Sequence, residues 1–268
     1  YEISECLVGS EMCIRDSMNA SLESYLKGYN DPRIKSYFNL AQDGRDKEGN
    51  IIKEVAGVKQ LNSIEGEYKG VRQGTGVADN RYSTHSQTTI TTGSKIIVMS
   101  AAEVWFLRAE AALRNYTSEN VENCYKQGIT VSFAQWDASG VSEYLENTNK
   151  PAAYVDAFNK KFDAALATDI TPKWDESATL EKKLERIITQ KWLALYPEGC
   201  EAWAEQRRTG YPELFKVAVN NSSNTINTDI MIRRVFFNQD YKTDNKALYD
   251  ALVSKLGGAD NGGTRLWW

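Results

Sequence analysis

Apolar side chains recur at every third or fourth position in several stretches of the chain, which is the period of an α-helix. Proline and glycine stand at the expected helix ends: Pro32 and Pro197 each follow an apolar-periodic stretch, and Gly210 is placed as a left-handed cap. The pattern therefore predicts a mainly α-helical fold. The predicted helices cover residues 19–29, 100–115, 118–136, 179–196, 200–208 and 245–256.

Two pairs of these helices are close neighbours along the chain. The helices over 100–115 and 118–136 are joined by only a few residues, so they should form an antiparallel hairpin of the kind found in one tetratricopeptide-type repeat. The helices over 179–196 and 200–208 repeat the plan, although the sequence has no clear 34-residue period. The fold class expected from this pattern is mainly α, built of tetratricopeptide-like helical hairpins with long irregular loops.

Local signals fix details of the first hairpin. Ser100 and Glu103 have the spacing of a capping box, and Ser118 is placed to cap the second helix. Gly128 lies inside that second helix, where glycine costs about 1 kcal/mol relative to alanine. We therefore expect Gly128 to mark a close approach of another element.

The region from residue 42 to residue 93 has a different character. Glycine, serine, threonine and asparagine are frequent there, and no period is sustained. We expect irregular structure, with short strands over residues 51–55 and 88–90. Loops of this length inside a compact protein are usually functional or mobile.

Composition is that of an ordinary globular protein and excludes several function classes. The chain has 268 residues, of which 41% are apolar and 25% charged, and its net charge is −4. Basic residues are scattered, so no nucleic-acid surface is indicated. No run approaches 18 apolar residues, so no transmembrane helix is predicted.

The first stretch of the chain does not read as part of a folded domain. Residues 2–17, EISECLVGSEMCIRDS, keep neither a helical nor a strand period and look like a translated sequencing adaptor. We interpret residues 1–17 as a non-native leader. Residues 18–268 are then expected to form a single structural unit.

Candidate chemistry is sparse. His85 is the only histidine and lies in the polar stretch RYSTHSQTT, so we expect a solvated loop residue and no histidine-rich metal site. Cys124 and Cys200 lack CxxC spacing; a disulfide between them is possible, but buried, unpaired thiols are expected. The glycine-containing stretch at residues 70–76 is not followed by the lysine that a phosphate-binding loop requires. The residues therefore predict no catalytic set, no metal and no cofactor.

Five stretches carry a family resemblance. They occur in a consistent order, span most of residues 18–268, and resemble the C-terminal region of SusD/RagB-type proteins. The stretches are YLKGYNDPR at residues 25–33, MSAAEVWFLRAEAAL at 99–113, YKQGITVSF at 125–133, EAWAEQRRTGYP within 197–212, and TRLWW at 264–268.

The resemblance implies a function and partners. Family members are nutrient-binding lipoproteins at the surface of the outer membrane of Bacteroidetes-type bacteria, where they pass a glycan or oligosaccharide to a SusC-type TonB-dependent transporter. The implied protein is not an enzyme. Its N-terminal lipid anchor would belong to a part absent from this chain, which resembles the C-terminal half alone.

Sugar recognition needs exposed aromatic rings and planar hydrogen-bonding side chains. In the irregular region, Tyr68, Arg72, Asn80 and Tyr82 have this chemistry and are the candidate glycan-binding residues. We expect the tryptophans to pack in the core instead, including those of the aromatic C-terminal stretch. The tryptophans concerned are Trp105, Trp192, Trp203, Trp267 and Trp268.

Two other functions stay open at this point. A helical-repeat scaffold could bind a protein partner through a concave aromatic groove. A helical glycoside hydrolase would need two carboxyl groups facing each other across a cleft, and sequence spacing alone does not reveal such a pair.

Overall fold

The computed structural model describes residues 17–55, 57–75 and 80–267, with Asn80 described by its backbone alone. Most regular structure in this part of the chain is helical, which confirms the predicted fold class. Two 3-10 turns lie at Asn80–Tyr82 and Lys160–Phe162, and a short antiparallel hairpin pairs β1 (Glu54–Val55) with β2 (Val58–Lys59). The helices are α1 (Ala20–Gly28), α2 (Ile34–Tyr37), α3 (Ala101–Leu113), α4 (Val121–Gln135), α5 (Val141–Leu145), α6 (Leu180–Ala194), α7 (Gly199–Thr209), α8 (Gln239–Asp244) and α9 (Lys246–Leu256).

The described residues divide into two compact units. Residues 17–55, 57–73 and 80–215 form the first, which holds α1 to α7, and residues 74–75 with 216–267 form the second, which holds α8 and α9. Whether residues 18–268 fold as one unit, and whether residues 1–17 are a non-native leader, stay predictions. Of that leader, residues 1–16 lie outside the described residues.

Helices α3 and α4 form the predicted hairpin, and α6 packs against both. Gly128 makes the expected close approach: a Cβ atom built there would lie 2.8 Å from the ring of Phe106. Phe106 is fully buried, so the ring fills the notch that the glycine leaves open. The glycine therefore allows α3 and α4 to pack closely at this point.

The helix caps agree with the sequence except at α4. The Ser100 hydroxyl accepts a hydrogen bond from the Glu103 amide at 3.1 Å, as predicted. Asn120, not Ser118, caps α4, and its side chain accepts from the Asn123 amide at 2.8 Å. The Ser118 prediction was wrong because asparagine two residues later serves equally well as a cap.

Helices α6 and α7 follow the predicted break. Thr179 caps α6, and the faces of Ile187 and Ile188 are fully buried in the main core. After α7 the chain takes a left-handed conformation at Gly210, with φ of 85°. Such a conformation suits glycine and ends the helix.

Buried tyrosines fasten distant segments to this helical core. Each donates its hydroxyl hydrogen to a backbone carbonyl far along the chain, and so satisfies a polar group that burial would otherwise leave open. The bonds run from Tyr25 to Glu213 at 2.7 Å, from Tyr29 to Ile170 at 2.9 Å, from Tyr37 to Leu193 at 3.0 Å, and from Tyr154 to Gly70 at 3.0 Å.

Other expectations needed correction. Cys124 and Cys200 are both free, and Cys200 is exposed rather than buried. Trp267 is 95% exposed, so it is not packed in the core, and Trp268 lies outside the described residues. Trp105 and Trp192 do pack against the main core, each partly buried.

The long irregular region carries less strand than expected. The hairpin of β1 and β2 overlaps the predicted strand over 51–55, whereas Thr88 forms only an isolated bridge to Phe38. No helix of the described residues combines the length and apolar character needed to cross a membrane.

Candidate functional site

A cleft with a volume of about 720 Å³ opens on the irregular part of the first unit. Small-molecule sites in proteins usually have volumes of about 300–1,000 Å³, so this cleft is of suitable size. We name it the Tyr68 cleft. Its lining residues are Lys35, Phe38, Asn39, Leu40, Gln42, Tyr68, Ser83, Thr84, His85 and Gln87.

The base of the Tyr68 cleft is formed by two extended segments that lie antiparallel. The backbone N–H of Asn39 donates to the backbone carbonyl of Gln87 at 2.9 Å. The backbone N–H of Gln42 donates to the backbone carbonyl of Thr84 at 3.0 Å. A further bond runs from the Thr89 amide to the Tyr37 carbonyl at 2.9 Å. Residues 37–42 and 84–89 therefore form one ordered support, although neither is part of a named strand.

The chemistry of the lining is neutral and polar. Amides and hydroxyls predominate, and Tyr68 and Leu40 add apolar surface, Leu40 being 50% exposed. Lys35 is the one lysine of the lining, and none of these described lining residues carries a carboxylate. An arrangement of this kind suits an uncharged ligand with many hydroxyl groups.

Several polar side chains in the cleft are uncommitted. Three side-chain groups make no hydrogen bond within the part of the chain described: the Tyr68 hydroxyl, the Gln42 side-chain amide and the Ser83 hydroxyl. Burial raises the pKa of Tyr68, so its hydroxyl keeps its proton at neutral pH. These groups are free to bond a ligand.

His85 contradicts the expectation of a solvated loop histidine. It is 1% exposed, its ring lies edge-on to Tyr82 with centroids 5.0 Å apart, and it is stacked near Phe158 at 6.3 Å. Neither ring nitrogen has a hydrogen-bond partner among the described residues. Burial, with the nearby Lys69 ammonium, lowers the pKa of His85 from 6.5 to about 3. The imidazole is therefore neutral.

The other predicted glycan-binding residues lie outside the cleft lining. Arg72 donates to the carbonyls of Phe162 and Asp163 at 2.9 and 2.7 Å, and so fastens one loop to another. Tyr82 is 1% exposed and its hydroxyl lies 3.3 Å from Asp156, so its ring has no open face. The side chain of Asn80 lies outside the described residues. Of the four candidates, Tyr68 is the one placed in the cleft.

A second cleft, of about 520 Å³, includes Glu143 and Glu146 in its lining. Glu146 pairs with Lys173 at 2.8 Å, and the hydrogen bond from that lysine lowers the pKa of Glu146. A general acid for glycoside hydrolysis needs a raised pKa, so Glu146 is unsuited to that role.

The described residues also contain no group of three or more metal-binding side chains close enough to hold an ion.

Sequence reasoning missed most of the cleft. Ser83, Thr84 and Gln87 belong to the polar stretch around His85, where no periodic pattern marks a binding residue. No local sequence pattern marks residues 37–42 as part of a binding site, because their place in the cleft depends on pairing with a segment more than forty positions away.

A model of the family described as "Susd and RagB outer membrane lipoprotein" matches residues 11–268. The chain belongs to the SusD-like family. This confirms the resemblance seen in the five sequence stretches.

Solved structures agree with the family match. A SusD homologue from Bacteroides vulgatus is 45% identical with a TM-score of 0.80, and the match covers 93% of this chain and 48% of that one. A chitin-binding SusD homologue from Flavobacterium johnsoniae is 42% identical with a TM-score of 0.81, covering 94% and 49%. A homologue from Bacteroides ovatus is 34% identical with a TM-score of 0.83, covering 94% and 51%. The comparison with curated proteins found no match.

The chain spans about half the length of these solved SusD-like structures. Its helical hairpins are those of the family, so the predicted tetratricopeptide-like architecture is confirmed.

Proposed function

We propose that the chain binds a neutral glycan in the Tyr68 cleft, as part of a SusD-like lipoprotein at the bacterial outer-membrane surface that passes its ligand to a SusC-type TonB-dependent transporter. Reversible binding without bond cleavage is the proposed mechanism. The single observation that carries it is the cleft lining, which joins an aromatic ring to uncommitted amide and hydroxyl groups.

The chemistry of the lining suits a sugar. A pyranose has an apolar face that can pack on the Tyr68 ring and on Leu40, while its hydroxyls need both donors and acceptors. Gln42 supplies both, and Ser83 and Tyr68 can donate or accept. One such site is expected to bind weakly, since a millimolar dissociation constant corresponds to about −4 kcal/mol.

Chitin fragments are the first ligand to test, because the relative described as chitin-binding is 42% identical to this chain. The unmodified chain would be titrated with N-acetylglucosamine hexamer and with maltohexaose, and binding followed by NMR. We expect saturable binding of at least one of the two. Absence of binding to both at millimolar ligand would contradict the proposal.

A matched pair of variants locates the site. Tyr68→Ala removes the ring in the cleft, whereas Tyr116→Ala removes a tyrosine that is 77% exposed and lies after α3, outside the cleft. We expect Tyr68→Ala to weaken binding about tenfold, or about 1.4 kcal/mol. Tyr116→Ala should bind as the unmodified chain does, and equal losses in both variants would count against the cleft.

The absence of hydrolysis belongs to the same proposal. The described lining residues of the Tyr68 cleft include no pair of carboxyl groups, which glycoside hydrolysis requires. The hexamers should therefore stay intact during prolonged incubation with the chain, as measured by chromatography. Release of shorter sugars would favour the hydrolase alternative instead.

A further inference from the structure

His85 differs from the other polar groups around it. The Ser86 hydroxyl accepts a hydrogen bond from the backbone N–H of Lys69 at 2.9 Å. The side-chain amide of Gln87 donates to three oxygens, among them the backbone carbonyls of Ser83 and His85. Both ring nitrogens of His85 are buried without any partner in the described residues. Buried polar groups in folded proteins are nearly always hydrogen-bonded, so an exception with two open atoms requires a physical reason.

Catalysis and metal binding do not supply that reason. A base with a pKa of about 3 is too weak to accept a proton at neutral pH. No described lining residue is a carboxylate that could orient the ring, and the described residues hold no cluster of metal ligands around it. What remains is a neutral imidazole, which offers one N–H donor and one nitrogen acceptor.

We propose that His85 is a specificity-determining ligand contact of the Tyr68 cleft, and that its open nitrogens are satisfied by hydroxyl groups of the bound glycan. The inference rests on the proposed function of the cleft. Each ring nitrogen can bond one sugar hydroxyl, because a hydroxyl both donates and accepts and the two nitrogens lie on different edges of the ring. A site built in this way rejects ligands that lack the hydroxyl, because the nitrogens then stay unpaired.

A ligand reaches the ring only if neighbouring side chains move, because His85 is 1% exposed. Ser83 and Thr84 stand just before His85 in the wall of the cleft; both are half-buried, and their hydroxyls make no hydrogen bond within the described residues. They can change rotamer without breaking a bond. Tyr82 and Phe158 meanwhile hold the imidazole plane, so the ring is positioned before the ligand arrives.

The variant His85→Phe separates ligand binding from folding. Phenylalanine keeps an aromatic ring between Tyr82 and Phe158 but has no nitrogen, so it removes the open polar atoms. We expect the unfolding temperature to rise by about 2–4 °C. We also expect affinity for the glycan found to bind, N-acetylglucosamine hexamer or maltohexaose, to fall at least tenfold. A variant that binds as tightly as the unmodified chain would overturn the inference, whatever its stability.

A second measurement needs no substitution. His85 is the only histidine, so ¹⁵N NMR of the unmodified chain reports its imidazole nitrogens without ambiguity. Addition of the binding hexamer should shift both resonances as the hydrogen bonds form. Unchanged resonances at saturating ligand would overturn the inference and leave glycan binding itself standing. If neither hexamer binds the unmodified chain, the proposed function and this inference both fail.

Discussion

The helical hairpin of α3 and α4 and the Tyr68 cleft are built on opposite principles. In the hairpin, Phe106, Tyr125 and Ile129 are fully buried, and the helix starts are capped. In the cleft, the side chains of Tyr68, Gln42 and Ser83 make no hydrogen bond among the described residues, and neither ring nitrogen of the buried His85 has a partner there. Burial and helix capping in the hairpin stabilise the fold. The unpaired nitrogens of His85 in the cleft region lower the stability of the fold. Polar groups without an internal hydrogen bond are available for recognition.

This comparison assigns different consequences to substitutions in each region. Changes in the hairpin should lower stability, whereas changes in the cleft should alter ligand binding or pH response.

Phe106→Ala should have the largest effect. The side chain is fully buried against Gly128 and lies 6.2 Å from the Tyr125 ring, centroid to centroid, so its removal leaves a cavity. Loss of such a ring costs about 3–5 kcal/mol of unfolding free energy. Val104→Ala is the control, because Val104 is on the same helix but 40% exposed; its effect should stay within about 0.5 kcal/mol. Urea unfolding followed by circular dichroism measures both, and equal losses would contradict the account.

His85 should make the fold sensitive to mild acid. The unfolded chain binds a proton at the ordinary pKa of 6.5, whereas the folded chain does so only at about 3. As pH falls between these values the unfolded state binds more protons, so stability is lost at about 1.4 kcal/mol per pH unit.

His85→Phe removes this contribution. Between pH 6.5 and pH 5 the unmodified chain should lose about 2 kcal/mol more stability than the variant does. Urea unfolding at several pH values measures the difference between the two chains, which cancels the carboxylates common to both. Parallel pH profiles would show that His85 is solvated in solution.

Gly128→Ala tests the close approach inside the hairpin. Alanine improves helix propensity by about 1 kcal/mol, but its Cβ would lie 2.8 Å from the Phe106 ring, and overpacking costs about 1–3 kcal/mol. We expect a net loss of about 1 kcal/mol. Gly199→Ala at the start of α7 meets no atom within 4 Å and should be neutral or stabilising. A stabilising Gly128→Ala would show that the ring can move away.

Lys35→Gln should have the smallest effect. Lys35 is exposed and makes no ion pair in the described residues, so it contributes little to binding an uncharged ligand. Glycan affinity should change less than about twofold, or about 0.4 kcal/mol, and should not depend on salt. A large loss, reduced by added salt, would instead indicate an acidic ligand.

The sequence predicted the helical region well because its signals are local. Helical period, capping residues and breakers such as Gly210 act within a few positions, so α3, α6 and α9 were found close to their observed bounds. The cap of α4 was misplaced by two residues, since Ser118 and Asn120 are both good caps.

The cleft was predicted poorly because its geometry is not local. Tyr68 was identified from its side-chain type, but its neighbours depend on the pairing of residues 37–42 with 84–89. The burial of His85 depends on Phe158, which is distant in sequence and contributes no periodic signal near residue 85. Tyr82 has the chemistry of a sugar contact, yet a buried carboxylate at Asp156 draws its hydroxyl inward.

Hydrogen exchange with and without the bound hexamer tests whether the Tyr68 cleft, and not the α3–α4 hairpin, binds the glycan. We expect slower exchange on ligand addition in peptides covering residues 35–42, 68–69 and 83–87, with no change across α3, α4 and α6. Protection centred on the α3–α4 hairpin, with the Tyr68 cleft unaffected, would contradict this expectation.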